Sequence, residues 1–513
     1  MSNSWNEGYF TDEGYVFGYC REINPVFQRY CLLLRGFHTL ESTDAWHCEL
    51  GFGQGVSINI HAAANPGTYI GTDFTPSQAA HANALGATFG STARLYDDSF
   101  EQLLARADLP QFDSISLHGI WSWVSRDNQK LIVEFAQRYL KPGGLLYVSY
   151  NCLPGWSPLA PLRKLFSLHD RFASHAVRPA ERIEAALQFS EVVLAANPNY
   201  AKTAPNLDAK LQSIKGENRQ YVAHEYFNRD WDCVYFTDVV DALADAKLDY
   251  ATTAVPLDAV DPLNLSNEGM DVLEAIDHPI MREQVRDYFV NQPFRRDLYQ
   301  RGTQRLSASE QREGMLNTRF VMLQVAESVS NTVKGAAGEA SLQVEIYGPV
   351  LEALAAKAYA PKTLRQLAGA VPQLTYDALE QAINVLVGMG AAAPCQSEAA
   401  EKLVQARCTT LNLQLCKRSL LNDQIQTLAS PLTGGGVPVG RFQQMFLIAI
   451  KQGKKQPAEW AQLAWDIIGD QGEGLVKDGK ALTTAAENVA ALTEQAEAFA
   501  ETSLVILRAL KIA

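Results

Sequence analysis

Three glycines, Gly51, Gly53 and Gly55, stand at alternate positions in "ELGFGQG", between an apolar run and a segment with helical periodicity. Glycines at such a turn let backbone N–H groups and a helix N-terminus come close to a ligand, which side chains would prevent. On its own the spacing is equally that of a structural turn. Its context says more. Asp73 closes the next apolar run 22 residues after Gly51, the distance at which an acid receives ribose hydroxyls in dinucleotide-type folds. Glu49 just before the loop and Asp98 after a third run continue a row of carboxylates at the ends of successive strands, where open α/β sheets bind ligands.

That row separates the nucleotide cofactors. A pyrophosphate needs a GxGxxG loop and surroundings tolerant of negative charge, whereas S-adenosylmethionine has no phosphate and carries a sulfonium cation that suits acidic surroundings. The pattern therefore resembles a class I methyltransferase.

The elements that must hold these residues follow from periodicity. From Ala45 to about Asn151 short apolar runs alternate with amphipathic segments, the mark of βα units and a mostly parallel sheet. Strands are predicted at "WHCEL", "TYIGT", "TARLY", "FDSISLH" and "GLLYVSY", and helices at about Val56–Ala64, Pro76–Leu85, Phe100–Ala107 and Arg126–Leu140. "LKPGG" is predicted as the turn that ends the last helix. Beyond Trp156 the periodicity is helical to about Asn197, and a mixed segment runs from Leu207 to about Gly314. "VSNTVKGAAGEAS" is read as a flexible joint between two strand-like pieces, "RFVMLQVA" and "LQVEIYG".

The predicted organisation is an N-terminal arm over residues 1–44, a doubly wound Rossmann-like α/β domain over 45–200, a mostly helical middle domain over 201–314, and an α+β domain over 315–513. Val350–Ala358, "PKTLRQLAGA" and the segment from Tyr376 resemble a winged helix. The helix that would read DNA, Tyr376–Met389, carries Asp377 and Glu380 and no Lys or Arg, so an interaction module is the reading.

"ELGFGQG", "HGIWSWV", "LKPGGLLYVSYNCLPGW" and "YVAHEYFNRDWDCVYFTDVVDAL" are similar, in that order, to bacterial methyltransferases that carry a methyltransferase regulatory domain, a family that includes rickettsial protein lysine methyltransferases. "EQVRDYFVNQPFRRDLYQR" carries the similarity to about residue 310. Phe52 departs from the small residue or Cys frequent in that loop, and "YVFGYCREINP" departs from the family's proline-rich opening.

The resemblance implies S-adenosylmethionine as cofactor. Gly51, Gly53 and Gly55 would pass under its methionine and ribose, Asp73 would take the ribose hydroxyls, Asp98 and Ser99 would meet the adenine edge, and Glu49, Phe74, His118 and Gly119 would complete the site. Trp121, Tyr150 and Asn151 are the implied acceptor-side residues, Trp121 as the wall of an aromatic slot and Tyr150 to orient a nucleophile, with Trp123 a further wall. The plain readings are a strand-end cap for Asp73, a helix N-cap for Asp98 and core anchors for both tryptophans. The arm's Tyr15, Tyr19 and Arg21 suggest either a lid whose arginine pairs with the cofactor's carboxylate or a surface-packed arm.

The implied activity is methyl transfer to protein lysine side chains. A small-molecule N- or O-methyltransferase and a non-catalytic scaffold of the same shape are the alternatives, and a homodimer is compatible with either. The net charge of −13 and a pI near 5.3 exclude a polyanion as principal partner. "MSNSWNEGYF" lacks the basic and apolar regions of a signal peptide, and no apolar run approaches a membrane span. Eight scattered cysteines without CxxC pairs read as reduced thiols of a cytoplasmic protein. No metal site is predicted: His224 and Glu225 lack the second histidine of HExxH. The cluster Arg282, Arg286, Arg295, Arg296, Arg301 and Arg305, interleaved with acids, reads as a solvated face with local ion pairs.

Overall fold

The computed structural model describes residues 14–39, 42–174, 178–204 and 206–513. After a helix α1 (Pro25–Leu34), the chain alternates β1 (Trp46–Leu50), α2 (Val56–Ala64), β2 (Thr68–Thr72), α3 (Pro76–Ala87), β3 (Arg94–Tyr96), α4 (Phe100–Ala105), β4 (Phe112–Leu117), α5 (Arg126–Tyr139) and β5 (Leu140–Asn151). Local sequence accounts for much of this. In α5, Ile132, Phe135, Ala136 and Tyr139 recur at helical spacing and are the face buried on the sheet, each large side chain contributing roughly 2 kcal/mol of transfer free energy. Ser125 Oγ accepts from Asn128 N at 3.2 Å and fixes where α5 begins. All nine residues of α2 are buried, because it is covered by the sheet on one side and by helix Glu398–Ser419 on the other. Gln396 Nε2 donates to Ala64 O and Arg407 Nη2 to Asn65 O.

The sheet has seven strands in the order β3-β2-β1-β4-β5-β7-β6, with β6 (Leu248–Thr253) and β7 (Phe294–Arg301) from the segment predicted as mostly helical. β1 to β5 run parallel, and β7 is antiparallel to both neighbours. The doubly wound fold is as expected, but the sheet does not close within residues 45–200. Its last two strands arrive after the helical segment, whose Trp156–Tyr226 part forms a separate apolar cluster. "LKPGG" is not the predicted turn either: β5 starts at Leu140, pairs Leu140 with Phe112 and carries a register shift before Leu145.

In the C-terminal third, Arg319–Met322 is a strand, flanked by Lys362–Thr363 and Ala392–Cys395. The predicted flexible joint is instead a hairpin, Thr332–Gly335 against Gly338–Ser341. "LQVEIYG", predicted strand-like, opens the helix Val344–Ala355. The third helix, Tyr376–Gly388, buries seven residues, of which Leu379, Ala382, Ile383, Leu386 and Val387 enter a core shared with α1 and α2. Among the described residues no helix is long and apolar enough to cross a membrane.

Candidate active site

Strand order reverses between β1 and β4, so the loops that follow them diverge and leave a crevice at the strands' carboxyl ends. The glycine loop forms one wall. Gly51, Gly53 and Gly55 have φ of +74°, +56° and +72°, conformations that cost an L-residue about 1–2 kcal/mol. At two of them space is also short: a Cβ on Gly51 would stand 2.1 Å from Ile120 Cδ1, and one on Gly55 2.3 Å from Ala82 Cβ. A Cβ on Gly53 would only touch Tyr15 Cδ1 at 3.5 Å and Gln78 Oε1 at 3.6 Å, ordinary van der Waals contacts.

Asp73, just beyond β2, fixes the loop from below. Its Oδ2 accepts from Gly53 N at 2.8 Å and its Oδ1 from Thr75 N at 3.1 Å. The plain reading of Asp73 as a cap is thus part of what it does. Each oxygen keeps acceptor capacity toward the cavity that Asp73 lines. Burial pushes its carboxyl up to about 6. Glu49 lines the same cavity and is pushed up to about 8, first by burial and then by the charge of Asp73.

Phe74, Asp98 and Ser99 form the far wall. Asp98 Oδ2 is 3.0 Å from Arg106 Nη1, whose guanidinium lies 3.8 Å above the Tyr96 ring. The helix cap falls on Ser99, which exchanges two hydrogen bonds with Gln102. Four carboxyl side chains, Glu49, Asp73, Asp98 and Asp230, and no Lys or Arg line this cavity among the described residues. It suits a cationic, phosphate-free nucleoside and refuses a pyrophosphate.

His118 and Gly119 follow β4 and also line it. His118 Nδ1 is 2.8 Å from Tyr147 Oη, and Gly119 N donates to Ser149 Oγ at 2.8 Å. Burial lowers the imidazole to about 4, so it is neutral. From the arm, Tyr15 and Tyr19 reach the cavity, but Arg21 does not. Arg21 donates to Val387 O at 3.1 Å and lies over Phe27, held by the C-terminal module instead of a cofactor carboxylate.

A second cavity lies against the first and shares Tyr15, His118, Gly119 and Trp123 with it. Asn151 and Trp156 line it from the end of β5, and Tyr221, Glu225 and Tyr226 from helix Arg219–Tyr226. The acceptor-side expectations divide here. Asn151 lines this cavity, but Tyr150 is wholly buried on the other sheet face, donating to Asp297 Oδ2 at 2.6 Å. Adjacent strand residues point to opposite faces, so Tyr150 and Asn151 cannot share one mouth. Trp121 is likewise a core residue of the cluster around Ile115 and Tyr150, whereas Trp123 is the tryptophan that borders both cavities. His224 and Glu225 look like an acid/base pair in the sequence, on a helix read as closing over the cofactor or substrate pocket; both line this second cavity.

The arginine cluster is also not uniformly solvated. Arg295 is 3% exposed and bonds Glu283, Asp287 and Asp297 at 2.6–2.8 Å.

Two family models match the chain: one described as a methyltransferase domain, over residues 48–148, and one described as a predicted methyltransferase regulatory domain, over residues 218–301. An uncharacterized protein of Synechocystis sp. is 36% identical over 514 residues, 99% of this chain and all of the relative. An uncharacterized protein of Rickettsia prowazekii is 25% identical over 292 residues, 54% of this chain and 49% of that one. Among solved structures, PKMT2 from Rickettsia typhi in complex with AdoHcy superimposes with a TM-score of 0.68 at 17% identity, covering 96% of this chain and 98% of that one.

Proposed function

Because the chain belongs to the S-adenosylmethionine-dependent methyltransferases that carry a methyltransferase regulatory domain, we propose that it transfers methyl groups to lysine side chains of proteins. The observation that carries this reading is the wall common to the two cavities. A ligand in the acidic cavity and an acceptor in the aromatic one would meet across Tyr15, His118, Gly119 and Trp123.

Bound in the first cavity, S-adenosylmethionine supplies an electrophilic methyl group. Asp73 would receive the ribose hydroxyls, Asp98 and Ser99 the adenine edge, and Glu49 the positive charge of the methionine portion. In-line displacement needs alignment and exclusion of water rather than a strong acid. Tyr15, set edge-on to His224 at 5.2 Å, and Trp123 cover the junction. His118, neutral because it is buried, adds no positive charge at that junction.

An aliphatic amine fits the second cavity, whose lining includes the rings of Trp123, Trp156, Tyr221, Tyr226 and Phe294. The likeness to the rickettsial PKMT2 over nearly the whole length, and the sequence resemblance to protein lysine methyltransferases, support a protein as the bearer of that amine. The unit built on Arg319–Met322 we read as a winged-helix-like interaction module, and the eight free thiols suit a cytoplasmic setting.

Labelled-methyl transfer from S-adenosylmethionine onto cell lysate, followed by acid hydrolysis of the protein fraction, tests the proposal. Label in methylated lysine supports it; label confined to the small-molecule fraction refutes the protein acceptor.

A further inference from the structure

The second cavity has one carboxyl group among the described side chains that line it, Glu225. We propose that Glu225 is the acceptor-binding group of this enzyme: it captures the ammonium of a primary alkylamine in the second cavity and takes a proton from it before methyl transfer. The proposal rests on the methyl-transfer reading above and assigns the proton.

The surroundings select the ligand class. Trp156, Tyr221 and Tyr226 offer aromatic faces to a cation and to its aliphatic stem, and one carboxylate among them gives the cation its counter-charge. A hydroxyl acceptor would need neither. Asn151 Nδ2 is buried beside Glu225, and its amide favours the ionised form of that carboxyl.

The chemistry also requires that the acceptor lose a proton, which such a residue can take at neutral pH. An alkylammonium with a pKa near 10.4 is only about one part in a thousand neutral at pH 7, and the protonated nitrogen has no lone pair. Burial pushes Glu225 up to about 7, while Asn151, Arg163 of helix Ala160–Phe172 and Lys210 of helix Leu207–Gly216 hold it down. Arg296 of β7, His118, Tyr15 and, on its own helix, Tyr221, His224 and Tyr226 complete the titratable groups around the cavity. A carboxylate with a pKa near the working pH is a far stronger base than an ordinary glutamate. The N–H bond breaks as the proton passes to a Glu225 oxygen. The freed lone pair then forms the N–C bond while the methyl carbon's bond to sulfur breaks, its electron pair remaining on sulfur. The product is a methylated ammonium and a neutral thioether, and the proton on Glu225 leaves to water.

Residues 218–301, the part matched by the regulatory-domain family model, thus supply the acceptor's carboxylate and, through Tyr221, Tyr226 and Phe294, much of its aromatic wall.

The test is the pH profile of kcat/KM for labelled-methyl transfer to poly-L-lysine by the wild type, Glu225→Gln and Glu225→Asp, with S-adenosylmethionine affinity measured by calorimetry. The wild type is expected to rise with a one-proton slope through about pH 7 and level off. Glu225→Gln should be lower by about 10²–10³-fold at pH 7 and climb toward pH 10 as the free amine forms, and Glu225→Asp should restore part of the neutral-pH activity. Cofactor affinity should stay within about twofold, since Glu225 does not line the first cavity. An unchanged profile in Glu225→Gln overturns the proposal and leaves the methyl-transfer reading standing. Loss of S-adenosylmethionine binding in both variants overturns it too, by putting Glu225 in the cofactor site. A wild type that binds S-adenosylmethionine yet methylates no lysine at any pH refutes the amine reading and this role together.

Discussion

Replacing Asp73 with Asn changes one atom and tests the ribose assignment. Both carboxylate oxygens already accept a backbone N–H, from Gly53 at 2.8 Å and from Thr75 at 3.1 Å. An amide has one oxygen, so in either orientation one of these donors faces an NH2 group. That loss, about 1–3 kcal/mol, exists with and without ligand and is partly offset by removing a buried charge, so it shows in thermal stability more than in affinity. Affinity reports the remaining lone pairs. Two ribose hydroxyls can both donate to a carboxylate, but only one can donate to an amide. Losing one charge-assisted hydrogen bond of about 1.5–3 kcal/mol weakens S-adenosylmethionine binding about 10- to 150-fold. Because Asp73 is pushed up to about 6, the gap between wild type and variant should narrow below pH 6, where the wild-type group is also neutral. Calorimetric titration at pH 7.5 and pH 5, with unfolding temperatures alongside, measures both parts. An affinity within about threefold of wild type at pH 7.5, in a folded variant, would refute the ribose role.

Glu49, pushed up to about 8, is protonated in the empty cavity at pH 7, so binding the cationic cofactor should release a proton and tighten as pH rises from about 6 to 8. Calorimetry in buffers of different ionisation enthalpy reads this, and proton uptake would contradict it. The stability linkage has the opposite sense: a carboxyl of higher pKa folded than unfolded favours the fold at low pH, so its contribution is lost as pH climbs from 4.5 to about 8, which urea titrations across that window measure. Gly55→Ala, with its Cβ 2.3 Å from Ala82 Cβ, should lower the unfolding temperature more than Gly53→Ala, whose Cβ meets its nearest neighbours at an ordinary 3.5 Å and which suffers mainly backbone strain of about 1–2 kcal/mol. Tyr150→Phe should destabilise the protein by about 1–3 kcal/mol, because Asp297 loses a buried donor, yet leave cofactor affinity and kcat unchanged. A large fall in kcat with normal stability would return Tyr150 to the active site.

The features legible in the sequence are those fixed by neighbours along the chain. The alternation of apolar runs and amphipathic helices from Trp46 to Asn151, the glycine turn, and the acids closing β1 and β2 each follow from local periodicity, turn conformation and short spacing. α2 runs from Val56 to Ala64, as its pattern predicts. Tertiary structure decided which face each side chain meets and what lies opposite it. Tyr147, Ser149 and Asn151 turn toward His118, Gly119 and the second cavity, while Tyr150 between them is sealed against Asp297, 147 residues away. Arg21 is claimed by Val387 and Arg295 by three acids, partners that no local pattern names. β6 and β7 join the sheet because β5 presents an unpaired edge that only strands arriving after the helical segment can cover. Glu225 acquires its setting the same way. "AHEYF" is an ordinary helical segment until the ends of β5 and β7 and the N-terminal arm close around it, and burial among aromatic rings then makes one glutamate a group that can exchange protons near neutral pH.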